Sequence, residues 1–124
     1  MLGKFNVSVS LAVKDLAVAE KFYGETLGLE KAMDVPGGMF YKSGAYGVFI
    51  YASSYAGTNQ ADYANWMVDD VPTTIEELKT KGVTFEHYDL EGVTRDGDVH
   101  TAGNLTVAWF KDPDGNILNI WTRS

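Results

Sequence analysis

The sequence predicts an α+β fold built from two copies of one βαβββ unit. Three observations lead to this class: apolar residues alternate as in strands, other segments have helical spacing after capping residues, and the whole order recurs after about 55 residues. The chain has 124 residues, which suits one domain made of two half-sized repeats. Because one such repeat covers its own sheet poorly, we expect the two units to share one core.

The first unit begins with a strand at 5–13, where apolar and small polar residues alternate with period two. Asp15 is suited to cap a helix at 17–27, and Gly28 is suited to end it. Turns that contain glycine or proline then separate three short strands. These strands are predicted at 29–33, 39–43 and 46–53.

The second unit repeats this order. A strand at 63–68 leads to Asp70, which is suited to cap a helix at 73–81 with Pro72 close to its start. The remaining strands are predicted at 83–88, 106–110 and 117–121, with the turn sequence Asp-Pro-Asp-Gly-Asn at 112–116. We therefore predict one domain, 1–124, with modules at 5–53 and 61–122 and a linker at 54–60.

Composition excludes several classes of function. The net charge of −7 disfavours binding to nucleic acids and to anionic membranes. The absence of cysteine excludes disulfides, thiolate metal ligands and a cysteine nucleophile. No segment approaches the roughly 20 apolar residues of a membrane helix, and residues 1–4 lack a signal-type apolar run, so we expect a cytoplasmic protein.

Residues 89–103 form the least regular segment, with three glycines and four acidic residues. We predict a loop here, and loops of this length are often lids or binding loops. A solvated surface loop is the equally open alternative. The loop contains His100, which is the candidate general base because imidazole titrates near neutral pH and the loop could fold over a pocket.

Several short motifs, in order, resemble the vicinal oxygen chelate superfamily, which includes glyoxalase I, extradiol dioxygenases, and fosfomycin and bleomycin resistance proteins. The motifs are Val-Lys-Asp-Leu at 13–16, Phe-Tyr at 22–23, Leu-Gly-Leu at 27–29, Val-Asp-Asp-Val at 68–71, Lys-Gly-Val at 81–83 and Phe-Lys-Asp-Pro-Asp-Gly-Asn at 110–116. The resemblance implies that the modules form one curved, cup-shaped mixed sheet with the helices on its outer face. It also implies a homodimer.

The resemblance further implies four positions that hold a divalent metal in metal-dependent members of the superfamily. In this sequence they correspond to Ser8, Tyr51, Tyr63 and Asn119. None is a histidine or a carboxylate, and neutral Ser, Tyr and Asn are poor ligands for such metals. We therefore expect no metal and no other cofactor. Since the family's reactions depend on a metal that acts as a Lewis acid, glyoxalase and dioxygenase activities are disfavoured.

Strand alternation independently places polar and aromatic residues on the concave side of the sheet, because the apolar residues must face the helices. Aromatic surface with a few hydrogen-bonding groups is typical of a small-molecule pocket. The alternative is that these side chains pack in a core or a dimer interface. The candidate ligand-binding residues are Ser8, Ser10, Tyr51, Tyr63, Asn65, Met67, Trp109, Asn119 and Trp121.

Three functions remain open at this point. The first is a metal-free protein that binds a small planar or aromatic molecule, which the acidic charge would allow to be cationic. The second is a metal-dependent lyase or dioxygenase with a rearranged site, either around His87 and His100 with Glu86 or Asp98, or with acid–base work by His100, Tyr51 or Tyr63. The third is a dimeric interaction module without a ligand.

Overall fold

The computed structural model describes residues 1–124 and contains two compact units. The first unit comprises residues 1–59 and 113–115, and the second comprises residues 60–112 and 116–124. Each unit has its own β-sheet and one α-helix. The predicted α+β class is confirmed.

The first unit has the order β1, α1, β2, β3, β4, with a short 3-10 turn at Leu2–Lys4 ahead of it. Its sheet has the strand order β1-β4-β3-β2, and β1 is parallel to β4. The elements are β1 (Val9–Val13), α1 (Leu16–Glu20), β2 (Glu30–Val35), β3 (Gly38–Ser43) and β4 (Tyr46–Ala52).

Strand β1 is shorter than the predicted strand at 5–13. It pairs only with β4, and Val9 pairs with Val48. Only two residues of β4, Tyr46 and Gly47, therefore remain to pair with residues that precede Val9. Val7, which the alternation placed on the buried face, is 81% exposed. Alternation reports which face a residue would take in a strand, but it does not supply the partner strand that the backbone needs.

Helix α1 begins where the sequence predicted, because the Asp15 carboxylate accepts hydrogen bonds from the amides of Ala17 at 2.9 Å and Val18 at 3.2 Å. It does not continue as an α-helix to residue 27. A π-helical turn, Lys21–Thr26, follows it, and the Leu27 amide bonds to the carbonyl five residues earlier. Gly28 then ends the helical segment with φ +75°.

The second unit repeats the strand order of the first. Its sheet has the order β5-β10-β9-β8-β7, and β6 also pairs with β9. Strands β5, β10, β9 and β6 therefore correspond to β1, β4, β3 and β2, and the hairpin β7–β8 is an addition. The elements are β5 (Asp62–Met67), α2 (Val71–Thr80), β6 (Phe85–Glu86), β7 (Thr94–Asp96), β8 (Val99–Ala102), β9 (Leu105–Lys111) and β10 (Ile117–Arg123).

The prediction of an irregular loop at 89–103 is wrong for most of this segment. Strands β7 and β8 pair across a two-residue turn, Gly97 and Asp98, and β8 pairs with β9. Gly97 has φ +61°, the positive value that such tight turns require at this position. Because every residue of β7 is exposed, its sequence carries no apolar alternation that could have indicated a strand.

The core of the second unit lies on one face of its sheet. The buried apolar residues of β9 and β10 alternate along each strand, namely Ala108, Phe110, Leu118 and Ile120. Helix α2 contacts both strands and buries Val71 and Ile75. The residues that alternate with these on β9 and β10 lie on the opposite face of the sheet, which carries the candidate site. Neither helix of the structure is long and apolar enough to cross a lipid bilayer.

The 112–116 turn is structural, as predicted. Asp112 and Asn116 are both buried, and the Asp112 carboxylate accepts from the Asn116 amide nitrogen and from its side-chain nitrogen, each at 2.8 Å. Within the first unit, the carbonyl of Asp114 lies directly against the Cα of Gly57. This close approach requires a glycine.

We expect Gly57→Ala to destabilise the protein much more than Gly92→Ala. Both glycines have positive φ, at +73° and +77°, so both substitutions carry the cost of about 1–2 kcal/mol for a left-handed residue with a side chain. Only at Gly57 would the new Cβ collide with a backbone carbonyl, whereas nothing lies within 4 Å at Gly92. Urea denaturation of both variants checks this, and equal losses would contradict the close contact with Asp114.

Candidate functional site

A β-bulge in β5 positions the polar centre of the candidate site. Ile117 of β10 pairs with Asp62, but Leu118 pairs with Ala64, so Tyr63 is an extra residue in β5. The shift of one residue brings the Asp62 side chain to the face that carries Asn119. Simple alternation from Asn65 had predicted Tyr63 for this face, and it had left Asp62 next to the linker.

The Asp62 carboxylate connects β9 and β10. Its Oδ2 accepts a hydrogen bond from the Trp109 indole nitrogen at 3.1 Å and another from the Asn119 side-chain nitrogen at 2.6 Å. Trp109 and Asn119 also pair directly in the sheet. The carboxylate therefore fixes both an aromatic ring and an amide on the face opposite the core.

A second indole is fixed in the same way. The Trp121 nitrogen donates a hydrogen bond to Oδ1 of Asn65 at 2.8 Å. Trp121 lies two residues after Asn119 on β10, so the two side chains are on the same face of the sheet. Both indole N–H groups of this face thus have partners within the protein.

These side chains border a cavity of about 590 Å³ that lies entirely within the second unit. The lining is mostly apolar and aromatic, with two amides and one cation. The residues that line it are Asn65, Val93, Ala102, Leu105, Val107, Trp109, Asn119, Trp121 and Arg123. A cavity of similar size in the first unit, near α1 and β3, has four charged residues in its lining, Glu20, Lys21, Glu25 and Lys31, and one aromatic residue, Tyr41.

The structure brings four of the nine predicted ligand-binding residues to this cavity: Asn65, Trp109, Asn119 and Trp121. Tyr63 and Met67 belong to the same unit but do not line it. Ser8, Ser10 and Tyr51 belong to the first unit, where Ser8 precedes β1 and Tyr51 stacks on Phe49 at 5.7 Å. Ligand binding at the nine positions stays a prediction.

Sequence reasoning missed Asp62 and Arg123. No pattern in the sequence predicts the bulge that places Asp62 on this face. Arg123 could have been found, because the alternation of Asn119 and Trp121 continues to it once β10 is extended by two residues.

His100 does not lie in a loop above the cavity. It is on β8 and is completely buried, with its ring 4.8 Å from Trp109 in an edge-to-face arrangement. Its Nε2 accepts a hydrogen bond from the Tyr88 amide at 3.0 Å. Since an accepting ring nitrogen carries no proton, the neutral ring is protonated at Nδ1. That Nδ1 is buried without a hydrogen-bond partner, and the catalytic role of His100 stays a prediction.

Tyr88 completes this aromatic cluster behind Trp109. Its ring lies 5.4 Å from Trp109, and its hydroxyl is buried without a hydrogen-bond partner. Burial raises the pKa of the Tyr88 hydroxyl above its ordinary value, and the Glu86 carboxylate adds to the rise. Asp62 on one side and the Tyr88–His100 pair on another thus hold the Trp109 ring in place.

The second histidine belongs to a separate ionic cluster. Asp98 accepts from His87 Nε2 at 2.7 Å and from Lys79 Nζ at 2.5 Å. These hydrogen bonds, chiefly the one from Lys79, hold the pKa of the Asp98 carboxyl below its ordinary value. His87 and His100 therefore have different partners, and no three His, Cys, Asp or Glu side chains come together as a metal site.

Comparison with known protein families now identifies the chain. Residues 7–120 match the model of the Glyoxalase/Bleomycin resistance protein/Dioxygenase superfamily. The chain belongs to this superfamily. The resemblance seen in the sequence motifs is confirmed, while a search of curated individual proteins returns no match.

Solved structures show the same glyoxalase fold. A glyoxalase family protein from Enterococcus faecalis is similar at a TM-score of 0.73 with 19% identity, covering 98% of this chain and 99% of that one. A lactoylglutathione lyase from Agrobacterium tumefaciens has a TM-score of 0.68, 19% identity and coverage of 95% and 92%. A glyoxalase/bleomycin resistance protein/dioxygenase from Alicyclobacillus acidocaldarius has a TM-score of 0.69, 19% identity and coverage of 96% and 91%.

The residues at the superfamily's metal positions do not fit a divalent cation. Ser8, Tyr51, Tyr63 and Asn119 offer only neutral oxygen donors. Asn119 also directs its amide nitrogen, a hydrogen-bond donor, to Asp62. The Asp62 carboxylate beside Asn119 already accepts two hydrogen bonds at its Oδ2.

We expect Asp98→Asn to lower the stability of the protein near pH 5 and to lose this effect in acid. Because the pKa of Asp98 is lower in the folded protein than its ordinary 3.8, its ionised form stabilises the fold above pH 3.8. The stabilisation disappears as the pH falls through the folded pKa. Urea denaturation of both proteins from pH 5 to about pH 2 checks this.

Asp89→Asn is the control, because Asp89 is an exposed carboxylate with no ion pair. It should change the stability little at any of these pH values. A deficit of Asp98→Asn that persists unchanged in strong acid would contradict the role of its ionised carboxylate.

Proposed function

We propose that this protein binds a small planar or aromatic molecule in the cavity of its second unit, without a metal ion. One observation carries the proposal: Trp109 and Trp121 border the cavity, and both of their indole nitrogens are already hydrogen-bonded to protein side chains. Their polar edges are satisfied, so the ring surfaces that remain are apolar. Fixed apolar rings favour stacking, because a ligand does not have to order them on binding.

The size and polarity of the cavity support the same conclusion. Its volume of about 590 Å³ falls within the range of about 300–1,000 Å³ that is usual for small-molecule sites. The side-chain oxygen of Asn119 and the side-chain nitrogen of Asn65 take no part in the hydrogen bonds that fix the rings. They supply one acceptor and one donor that can orient a ligand between the indoles.

Binding alone is a sufficient function for such a site. Sequestration of a toxic compound and sensing of a ligand both require only affinity, and a micromolar dissociation constant corresponds to about −8 kcal/mol. The name of the superfamily includes resistance proteins, which is consistent with sequestration. As part of the proposal, we place the protein in the cytoplasm as a homodimer.

We expect neutral fused-ring compounds, such as 2-naphthol and quinoline, to bind with heat changes measurable by isothermal titration calorimetry. Trp121→Ala should weaken binding roughly tenfold, because stacking of one aromatic pair contributes about 0.5–1.5 kcal/mol beyond the buried area. Asp62→Ala should also weaken binding, since it releases the Trp109 ring and the Asn119 amide.

The matched control is Trp66→Phe. Trp66 pairs with Ile120 in the sheet, on the face that carries the core, and it does not line the cavity. This variant should bind like the wild type. If it weakens binding as much as Trp121→Ala does, the cavity is not the binding site.

We also expect elemental analysis of protein purified without chelators to show no stoichiometric Zn, Ni, Mn or Fe. The reason is the neutral donor set at Ser8, Tyr51, Tyr63 and Asn119. One metal ion per chain, retained through dialysis, would overturn the metal-free part of the proposal and favour a lyase or dioxygenase.

A further inference from the structure

The charge of the cavity lining limits the class of ligand. Arg123 is the only charged side chain among the nine residues that line the cavity. It follows Asn119 and Trp121 on the same face of β10. At about 3.4 Å per residue, its backbone lies roughly 7 Å beyond that of Trp121. The cationic side chain of Arg123 is thus the next side chain after Trp121 on this face of β10.

The guanidinium of Arg123 has no acidic partner. No carboxylate lies within ion-pair distance of it, although the chain has seventeen acidic residues and ten basic ones. Three of the ten basic residues, Lys31, Lys79 and Lys111, form ion pairs with carboxylates. The other arginine, Arg95, donates to the carbonyl of Gly97 on the hairpin.

The Asp62 carboxylate does not offset this charge among the residues that line the cavity. Asp62 is not a lining residue, and its Oδ2 is engaged by Trp109 and Asn119 at the far end of the lining from Arg123. Net charge alone favours a cationic ligand, but the groups that face the cavity present one positive charge and no negative charge. Local charge decides which ion is bound, because salt screens the more distant ones.

We propose that the ligand is a planar aromatic acid, with its ring on Trp121 and its carboxylate on Arg123. This inference rests on the proposed function and adds to it the charge and orientation of the ligand. The planar guanidinium can bind a carboxylate through two parallel hydrogen bonds, which a lysine ammonium cannot do. The backbone spacing of roughly 7 Å between Trp121 and Arg123 suits an acid group attached directly, or through a short chain, to a fused ring.

The test uses three compounds with one ring system and different charge: 2-naphthoate, 2-naphthamide and 2-naphthylmethylamine. Calorimetry on the full chain near neutral pH should show 2-naphthoate bound roughly tenfold more tightly than 2-naphthamide, and the amine most weakly. Arg123→Gln should remove the preference for the acid, so that the acid and the amide bind with similar affinity. An unfolding midpoint in urea equal to that of the wild type shows that the variant is folded.

Two further variants sharpen the result. Arg123→Lys should keep part of the preference, because it retains the charge but not the two parallel hydrogen bonds. Arg95→Gln removes the other arginine and should keep the whole preference.

Added NaCl should reduce the preference of the wild type for the acid, while binding of the amide stays constant.

Each other outcome overturns the inference in a distinguishable way. Equal binding of acid and amide, both weakened by Trp121→Ala, would remove the role of Arg123 and leave the cavity as the binding site. A preference for the acid that survives in Arg123→Gln, or tighter binding of the amine, would do the same. If none of the compounds binds more tightly than about 1 mM, the proposed function fails together with the inference.

Discussion

The hydrogen bonds that Asp62 accepts determine the shape of the candidate site. One carboxylate oxygen on β5 holds the indole of Trp109 on β9 and the amide of Asn119 on β10. A charged acceptor forms stronger hydrogen bonds than a neutral one, so these two side chains have well-defined positions. The bulge at Tyr63 makes the arrangement possible, because without it Asp62 would point to the other face. The aromatic surface of the cavity depends on this small backbone irregularity.

The added hairpin β7–β8 supports the same aromatic surface from another direction. It brings His100 into the interior, where the ring accepts a hydrogen bond from the Tyr88 amide and packs edge-to-face with Trp109. The first unit has no counterpart of this hairpin, and its sheet ends at β2. The two repeats thus share a strand order but differ in their cavities: two tryptophans line the cavity of the second unit, whereas the cavity near α1 in the first unit is lined by several charged residues.

In this chain, the residues that support the fold differ from those at the positions where the resemblance implies a metal. The caps, the turns and the strand order are retained, and they depend on residues such as Asp15, Asp70 and Asp112. The four positions at which the resemblance implies a metal have neutral side chains, and one of them, Asn119, donates a hydrogen bond to Asp62. A fold can keep its architecture while a site on it changes chemistry, since the two depend on different residues.

The sequence by itself determined the fold class, the repeated βαβββ order, the helix starts at Asp15 and Asp70, and the face of Asn65, Asn119 and Trp121. These features follow from local physics, because caps, turns and alternation act over a few residues. Only the tertiary structure decided where strands end, that 94–102 forms a hairpin, and that Asp62 belongs to the site. Those outcomes depend on pairing between distant strands: one extra residue at Tyr63 reverses which side chains face the cavity, and no local pattern records that register.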